Sequence, residues 1–221
     1  MNRKSYTLGK STAERLPRKE REKLLRRREI IEAAKRVFAE KGYRNATLEE
    51  IAAAAEFGKG TIYNYFQSKE ELFIAIMDGT FDEVTELASK AMAISGVSRE
   101  KFRQLAFNLL LYYKHNLDFF RLLMREVNQF QLEVRETNVT RIMNRLLRIS
   151  EILAEALHRD IRARRVKNHN PSVMATMFLN LIHSFFMRNM RTWQTMSEAD
   201  LQNAADFITS IFFDGVAVHA H

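Results

Sequence analysis

The chain has 221 residues, 46% of them hydrophobic and 28% charged, a formal net charge of +8 and no cysteine. Such a length and apolar content supply a substantial core without staples. The lack of cysteine excludes disulfides, thiolate metal sites and cysteine nucleophiles, and permits a reducing cytoplasm. The basic opening MNRKSYTLGKSTAERLPRKE has no apolar segment of the kind a secretory leader needs. The most apolar stretch, 172–187, is interrupted by Asn180, His183 and Ser184 and is shorter than the roughly 20 residues of a membrane span. A cytoplasmic location without membrane contact is expected. Residues 1–66 hold 16 Lys/Arg against 9 Asp/Glu, whereas 67–221 hold 19 against 18. Cations concentrated in the first third point either to a polyanionic partner there or to a solvated basic tail.

Two prolines, Pro17 and Pro171, leave long stretches free for helices. Leu24, Ile30, Ile31, Ala34, Val37 and Phe38 recur at helical spacing and predict a first helix over 21–41, stopped by Gly42. Thr47-x-x-Glu50 is a capping box that opens a second helix, running to about Glu56 before Gly58 and Gly60. A very short third helix follows over 60–66. Its Ile62 and Phe66, at i and i+4, pin one face inward and leave Thr61, Tyr63, Asn64 and Tyr65 on the others. Ser68-x-x-Glu71 opens a fourth helix whose apolar pattern runs from Leu72 to about Ile94. Two short helices joined by a tight turn, the second with an exposed polar and aromatic face, make a helix-turn-helix.

Further helices are predicted over 99–115, 118–127 and 138–165. Asn170-Pro171 then caps a helix to about Trp193, and Ser197-x-x-Asp200 starts a last one ending near Gly215. The last two are apolar nearly all round, so they need partners on every side. Pairing across a two-fold axis is favoured over a central place in the protomer, with Phe178, Phe185, Ile208 and Phe212 at the dimer interface. No strand alternation and no internal repeat are present, so the fold class is all-α.

The stretch REIIEAAKRVFAEKGYRNATLEEIAAAAEFGKGTIYNYFQSKEELFIAIM, 28–77, resembles the N-terminal domain of the tetracycline-repressor (TetR/AcrR-like) family. The resemblance implies an N-terminal three-helix helix-turn-helix domain plus a C-terminal helical bundle for dimerisation and effector binding. It implies a homodimer on a double-stranded, partly palindromic DNA operator. By position, Lys59, Gly60, Thr61, Tyr63, Asn64 and Tyr65 match the recognition helix, Thr47 caps beside the backbone, and Lys69 starts the fourth helix near phosphate. Arg27 and Arg28 belong with Arg15, Arg18, Lys19, Arg21, Lys23 and Arg26 to a basic segment that tracks DNA backbone, enters a minor groove or stays solvated. The expected domains are a basic arm (1–20), the DNA-binding domain (21–68) and a ligand-binding and dimerisation domain (69–221). One departure stands out: Ala55-Glu56-Phe57-Gly58 occupies the place of the family's Ala-Gly-Val-Ser. The turn loses its glycine, and Gly58 removes a hydroxyl that would cap the helix and donate to phosphate.

Aromatic and thioether side chains in the central helices suit an adaptable apolar pocket. Phe107, Tyr112, Phe120, Met124, Met143 and Met177 are its candidate walls. Asn180, His183 and Ser184 supply polar contacts either to a small apolar or amphipathic effector or across the dimer. Catalysis has little support. Glu155-x-x-His158 has no second copy, His158-Arg159-Asp160 lacks a glycine-rich loop, and His219 and His221 lack a third ligand. No catalytic residue, metal or cofactor is therefore expected. The competing reading within DNA binding is an architectural or division-control protein of the same fold without an effector.

Overall fold

A computed structural model describes residues 17–123 and 136–216 and is helical, with no β-strand among the described residues. The helices are α1 (Arg18–Lys41), α2 (Leu48–Ala54), α3 (Lys59–Tyr63), α4 (Lys69–Ala93), α5 (Ser98–His115), α6 (117–123), α7 (Glu136–Arg162), α8 (Pro171–Asn189) and α9 (Glu198–Val216). The described residues pack as two compact units, residues 17–83 with 118–123 and 136–139, and residues 84–117 with 140–216.

In the first unit, α1 buries the stripe Ile30, Ala33, Ala34, Val37 and Phe38, as its periodicity requires. Ile51 and Ala52 of α2, Ile62 of α3, then Phe66, Leu72, Phe73 and Ile76 complete the core. Its aromatic centre is Phe38, Tyr43 and Phe73, with ring centroids 5.3–6.1 Å apart. Packing thus divides the chain within α4, near Glu83, and not at Ser68, because Phe73 lies against Phe38.

Four helix starts, those of α2, α4, α8 and α9, follow side-chain caps. Glu50 N–H donates to Thr47 Oγ1 (3.2 Å) while Glu50 Oε2 accepts from Thr47 N–H (3.0 Å). The same box closes between Ser197 and Asp200 (3.1 and 2.8 Å). At α4, Glu71 N–H donates to Ser68 Oγ (3.0 Å), but Glu71 reaches back to the amide of Gln67 (2.7 Å) and not to that of Ser68. Asn170 accepts from Ser172 and Val173 N–H, with Pro171 at the first helical position.

Helix ends differ more from expectation. α3 stops at Tyr63, leaving Tyr65 and Phe66 outside it, and α8 ends at Asn189, so Trp193 sits in a short 3-10 turn, fully buried. α2 ends at Ala54, and Glu56 takes φ 60°, the left-handed conformation of the missing glycine. Phe57 N–H donates to Ala52 O (2.8 Å) and Glu56 N–H to Ala53 O (3.0 Å), the paired bonds of a Schellman stop. The turn therefore stays tight despite the substitution, at a steric cost carried by Glu56.

In the second unit, Phe102 of α5 is the hub. Its ring lies 4.8 Å from Phe178 of α8 and 5.8 and 5.5 Å from Phe212 and Phe213 of α9. Arg99 pairs with Asp214 (2.9 Å) and Arg103 with Asp206 (3.5 Å) along the α5–α9 edge. Trp193 closes the α8–α9 connection against Phe186, 5.1 Å away.

The left-handed cost at a non-glycine residue is about 1–2 kcal/mol, partly offset by the extra unfolded-state freedom of glycine. Glu56→Gly is therefore expected to stabilise the protein by up to about 1 kcal/mol. The expected readout is a higher urea midpoint at unchanged m-value; a lower midpoint would show that the Glu56 side chain contributes more than its backbone costs.

Candidate nucleic-acid interface

A helix of five residues cannot hold itself in water, so the position of α3 is set by what it buries. Ile62 and Phe66 are fully buried, and Lys59, Gly60, Tyr63 and Asn64 consequently lie on the exposed side, with Thr61 and Tyr65 half-buried at its margins. All the α3 residues expected to read DNA therefore share one small surface. Thr47 is exposed at the start of α2.

The side chains on this surface are already linked. Glu49, in the first turn of α2, accepts from Lys59 Nζ (2.8 Å) and from Tyr63 OH (3.1 Å). The Lys59 ammonium, together with a backbone bond and the Tyr63 hydroxyl, holds the Glu49 carboxyl below the usual carboxylate range. Any stabilisation from this cluster is present above the ordinary carboxylate pKa and is lost as pH falls through the depressed value. Sequence reasoning did not find Glu49: ten residues separate it from Lys59, and only the crossing of α2 over α3 unites them. Beside it, Glu50 couples its capping role to an ion pair with Lys41 (2.6 Å), tying the end of α1 to the start of α2.

Lys69 is less available than expected. Its ammonium donates to Arg44 O (2.8 Å) and lies 4.8 Å from the Tyr43 ring centroid, which fastens the start of α4 to the loop after α1. Arg28 is exposed, and the Arg27 guanidinium lies 5.0 Å over the Phe66 ring. Gly58 caps α3 without a side-chain bond, as the loss of a hydroxyl there implies. A Cβ on Gly60 would meet nothing within 4 Å, so the fold itself does not demand glycine at that position.

The expected effector residues do not converge among the described residues. Tyr112 is buried and Phe107 half-buried in α5, and Phe120 is buried in the other compact unit. Met143 and Met177 are 51% and 59% exposed, and Asn180 and Ser184 are exposed too. These four point outward because α7 before Ile149 and the 173/177/180/184 stripe of α8 lie away from the core of their unit. His183 is half-buried, and loss of hydration pushes its imidazole below the usual histidine range. Met124, Phe130, His219, His221 and the arm residues 1–16 fall outside the described residues. An open groove of about 560 Å³ lies between α7 and the start of α8, lined by Glu151, Glu155, His158, Arg159, Pro171 and Ser172, and none of the expected effector residues lines it.

The residues expected at a dimer interface are mostly covered within the protomer. Phe178, Ile208 and Phe212 are 0%, 3% and 5% exposed, because they pack around Phe102 inside the protomer. Phe185 is half-buried against Trp193. The large apolar side chains that α8 and α9 do present are Val173, Met177, Met187, Phe207 and Ile211.

The family model for bacterial regulatory proteins of the tetR family matches residues 30–76, which run from the first buried residue of α1 to Ile76 of α4. The HTH-type transcriptional regulator YhgD of Bacillus subtilis is 29% identical over 158 residues, 71% of this chain and 80% of that one. This chain belongs to the tetR family. The regulator is also 31% identical over 132 residues to the fatty acid metabolism regulator protein of B. subtilis, covering 58% of this chain and 66% of that protein. Its fold is that of the B. subtilis transcriptional regulator FadR solved in complex with stearoyl-CoA, with a TM-score of 0.69, 22% identity and coverage of 86% and 98% of the two chains. It is a TetR-family transcriptional regulator, and α3 lies inside the matched segment. No described helix is long and apolar enough to cross a membrane.

Proposed function

We infer that this regulator is a homodimeric repressor that inserts α3 into the major groove of a partly palindromic operator and is released by a fatty acyl effector. The observation that carries the DNA reading is the α3 surface itself. Thr61, Tyr63 and Tyr65 supply hydroxyl donors for phosphate, Asn64 can pair with a base edge, and Lys59 brings charge. Gly60 adds the second argument. Nothing among the described residues crowds it, and the close approach of a phosphate to its backbone accounts for the lack of a side chain.

The apolar faces of α8 and α9 support a homodimer. Val173 and Met177 on one helix and Phe207 and Ile211 on the other are each about half exposed or more on an otherwise packed helix pair. A two-fold pairing of the two hairpins into a four-helix bundle covers them. Asn180 and Ser184 continue the α8 stripe and then serve this interface, not an effector.

The effector reading rests on the 31% identical relative named for fatty acid metabolism and on the stearoyl-CoA complex of a protein with this fold. The aromatic interior of α5, α8 and α9 has the apolar character an acyl chain needs. α4 runs unbroken from Lys69 to Ala93, so a displacement at its far end is transmitted to the residue next to the DNA surface.

Gly60→Ala is expected to leave the thermal midpoint unchanged or slightly raised, since alanine is the better helix former, and to weaken operator binding tenfold or more. Undiminished affinity would remove the close-approach argument. Phe207→Asp with Ile211→Asp should give a helical monomer by sedimentation, because both sites are open in the protomer; a native-sized dimer would place the interface elsewhere. Titrating stearoyl-CoA with and without a bound duplex should show each ligand weakening the other by the same factor. Equal affinity in the two titrations would reject an acyl effector and favour the architectural reading.

A further inference from the structure

α1 begins well before it has anything to pack against. Residues 17–29 are all exposed and Ile30 is the first buried side chain, so the helix projects about 18 Å beyond the core of its unit. Seven of the residues in 18–28 are Lys or Arg and two are acidic, Glu20 and Glu22.

Local energetics disfavour this arrangement in the free protein. Pro17 provides no side-chain cap, and cations at the start of a helix oppose its dipole. The Arg18–Glu22 pair (2.8 Å) is exposed and has its cation on the N-terminal side, the weaker order. Leu24 and Leu25 are 44% and 56% exposed, so no burial compensates. An exposed helical stretch with no side-chain cap, no burial and a cationic first turn marks a place where a partner supplies the missing term.

The arrangement of the cations identifies that partner. Lys19, Lys23, Arg26 and Ile30 stand at i, i+4, i+7 and i+11, and Ala33, Ala34 and Val37 continue the same stripe. The face with which α1 packs against α2 and α3 therefore becomes, without change of direction, a row of cations. Among the described residues Lys19, Lys23 and Arg26 have no ion-pair partner. Arg27 roots the row beside the DNA surface, its guanidinium 5.0 Å over Phe66 just after α3.

We propose that the projecting part of α1 is a second nucleic-acid surface, in which Lys19, Lys23 and Arg26 lie along the phosphate backbone of the duplex flanking the half-site read by α3. This rests on the DNA reading above and deepens it. α3 would supply sequence readout, while the α1 row supplies affinity that depends on flank length and salt and not on sequence. The anionic partner also removes the conflict with the helix dipole, so the row and the helix stabilise each other on DNA.

The test uses the full chain and a duplex enriched by it from a random-sequence pool. Lys19→Gln with Lys23→Gln should make the log–log salt slope shallower by about 2, at about 0.9 per phosphate contact. Arg18→Gln with Arg21→Gln removes the same charge from other faces of the helix and should shift the slope by less than half as much. Trimming ten base pairs from each flank should weaken the parent protein but leave the Lys19/Lys23 variant's affinity unchanged. Equal slope changes in the two variants, or an effect of the stripe variant that survives trimming, would overturn the proposal in favour of a general cationic field. A variant indistinguishable from the parent on the long duplex would overturn it outright. A pool that yields no enriched duplex would overturn the DNA reading and this proposal together, which separates that failure from a failure of the α1 row alone.

Discussion

The burial of Ile62 and Phe66 is the constraint on which the exposed α3 surface depends. α3 has only five helical residues, Lys59–Tyr63, too few to form or to hold an orientation alone. Its two apolar anchors lie in a core built from Ile30, Val37 and Phe38 of α1, Ile51 of α2 and Leu72 and Phe73 of α4. Everything exposed on α3 is exposed because those two are not. The exposed side chains are thus held by packing underneath them, and the surface needs no contribution from its own polar groups to exist.

Electrostatics then adjust a surface that packing has already made. Glu49 gathers Lys59 and Tyr63, and Glu50 ties Lys41 to the α2 cap. These are exposed pairs, each worth little by itself. Their consequence is geometric: the first links the side chains of α2 and α3, and the second links α2 to the end of α1. Glu56 performs the backbone half of the same task, closing the Schellman stop in a conformation that glycine would adopt more easily.

The second unit separates two kinds of apolar residue that look alike in composition. Phe102, Phe178, Phe212 and Phe213 converge into one aromatic cluster, whereas Val173, Met177, Phe207 and Ile211 face outward from the same helices. A helix that is apolar on every side has two faces. The inward face completes the protomer, and the outward face stays exposed.

The residues alone determined the all-α class, the helix starts and the DNA module, because these depend on contacts within a few positions. Thr47 with Glu50, Ser197 with Asp200 and Asn170 before Pro171 cap where their spacing requires, and Ile62 with Phe66 marks the buried face of α3. The third, very short helix was legible for the same reason. Only the tertiary structure decided which apolar residues of α8 and α9 stay inside, since periodicity gives the faces of a helix but not what each one meets. It alone united Glu49 with Lys59 and Tyr63, partners brought together by a helix crossing. It also showed that Glu56 accepts a left-handed backbone, and that the stripe of α1 turns from apolar to basic where the core ends, because neither strain nor the edge of a core is written in local spacing.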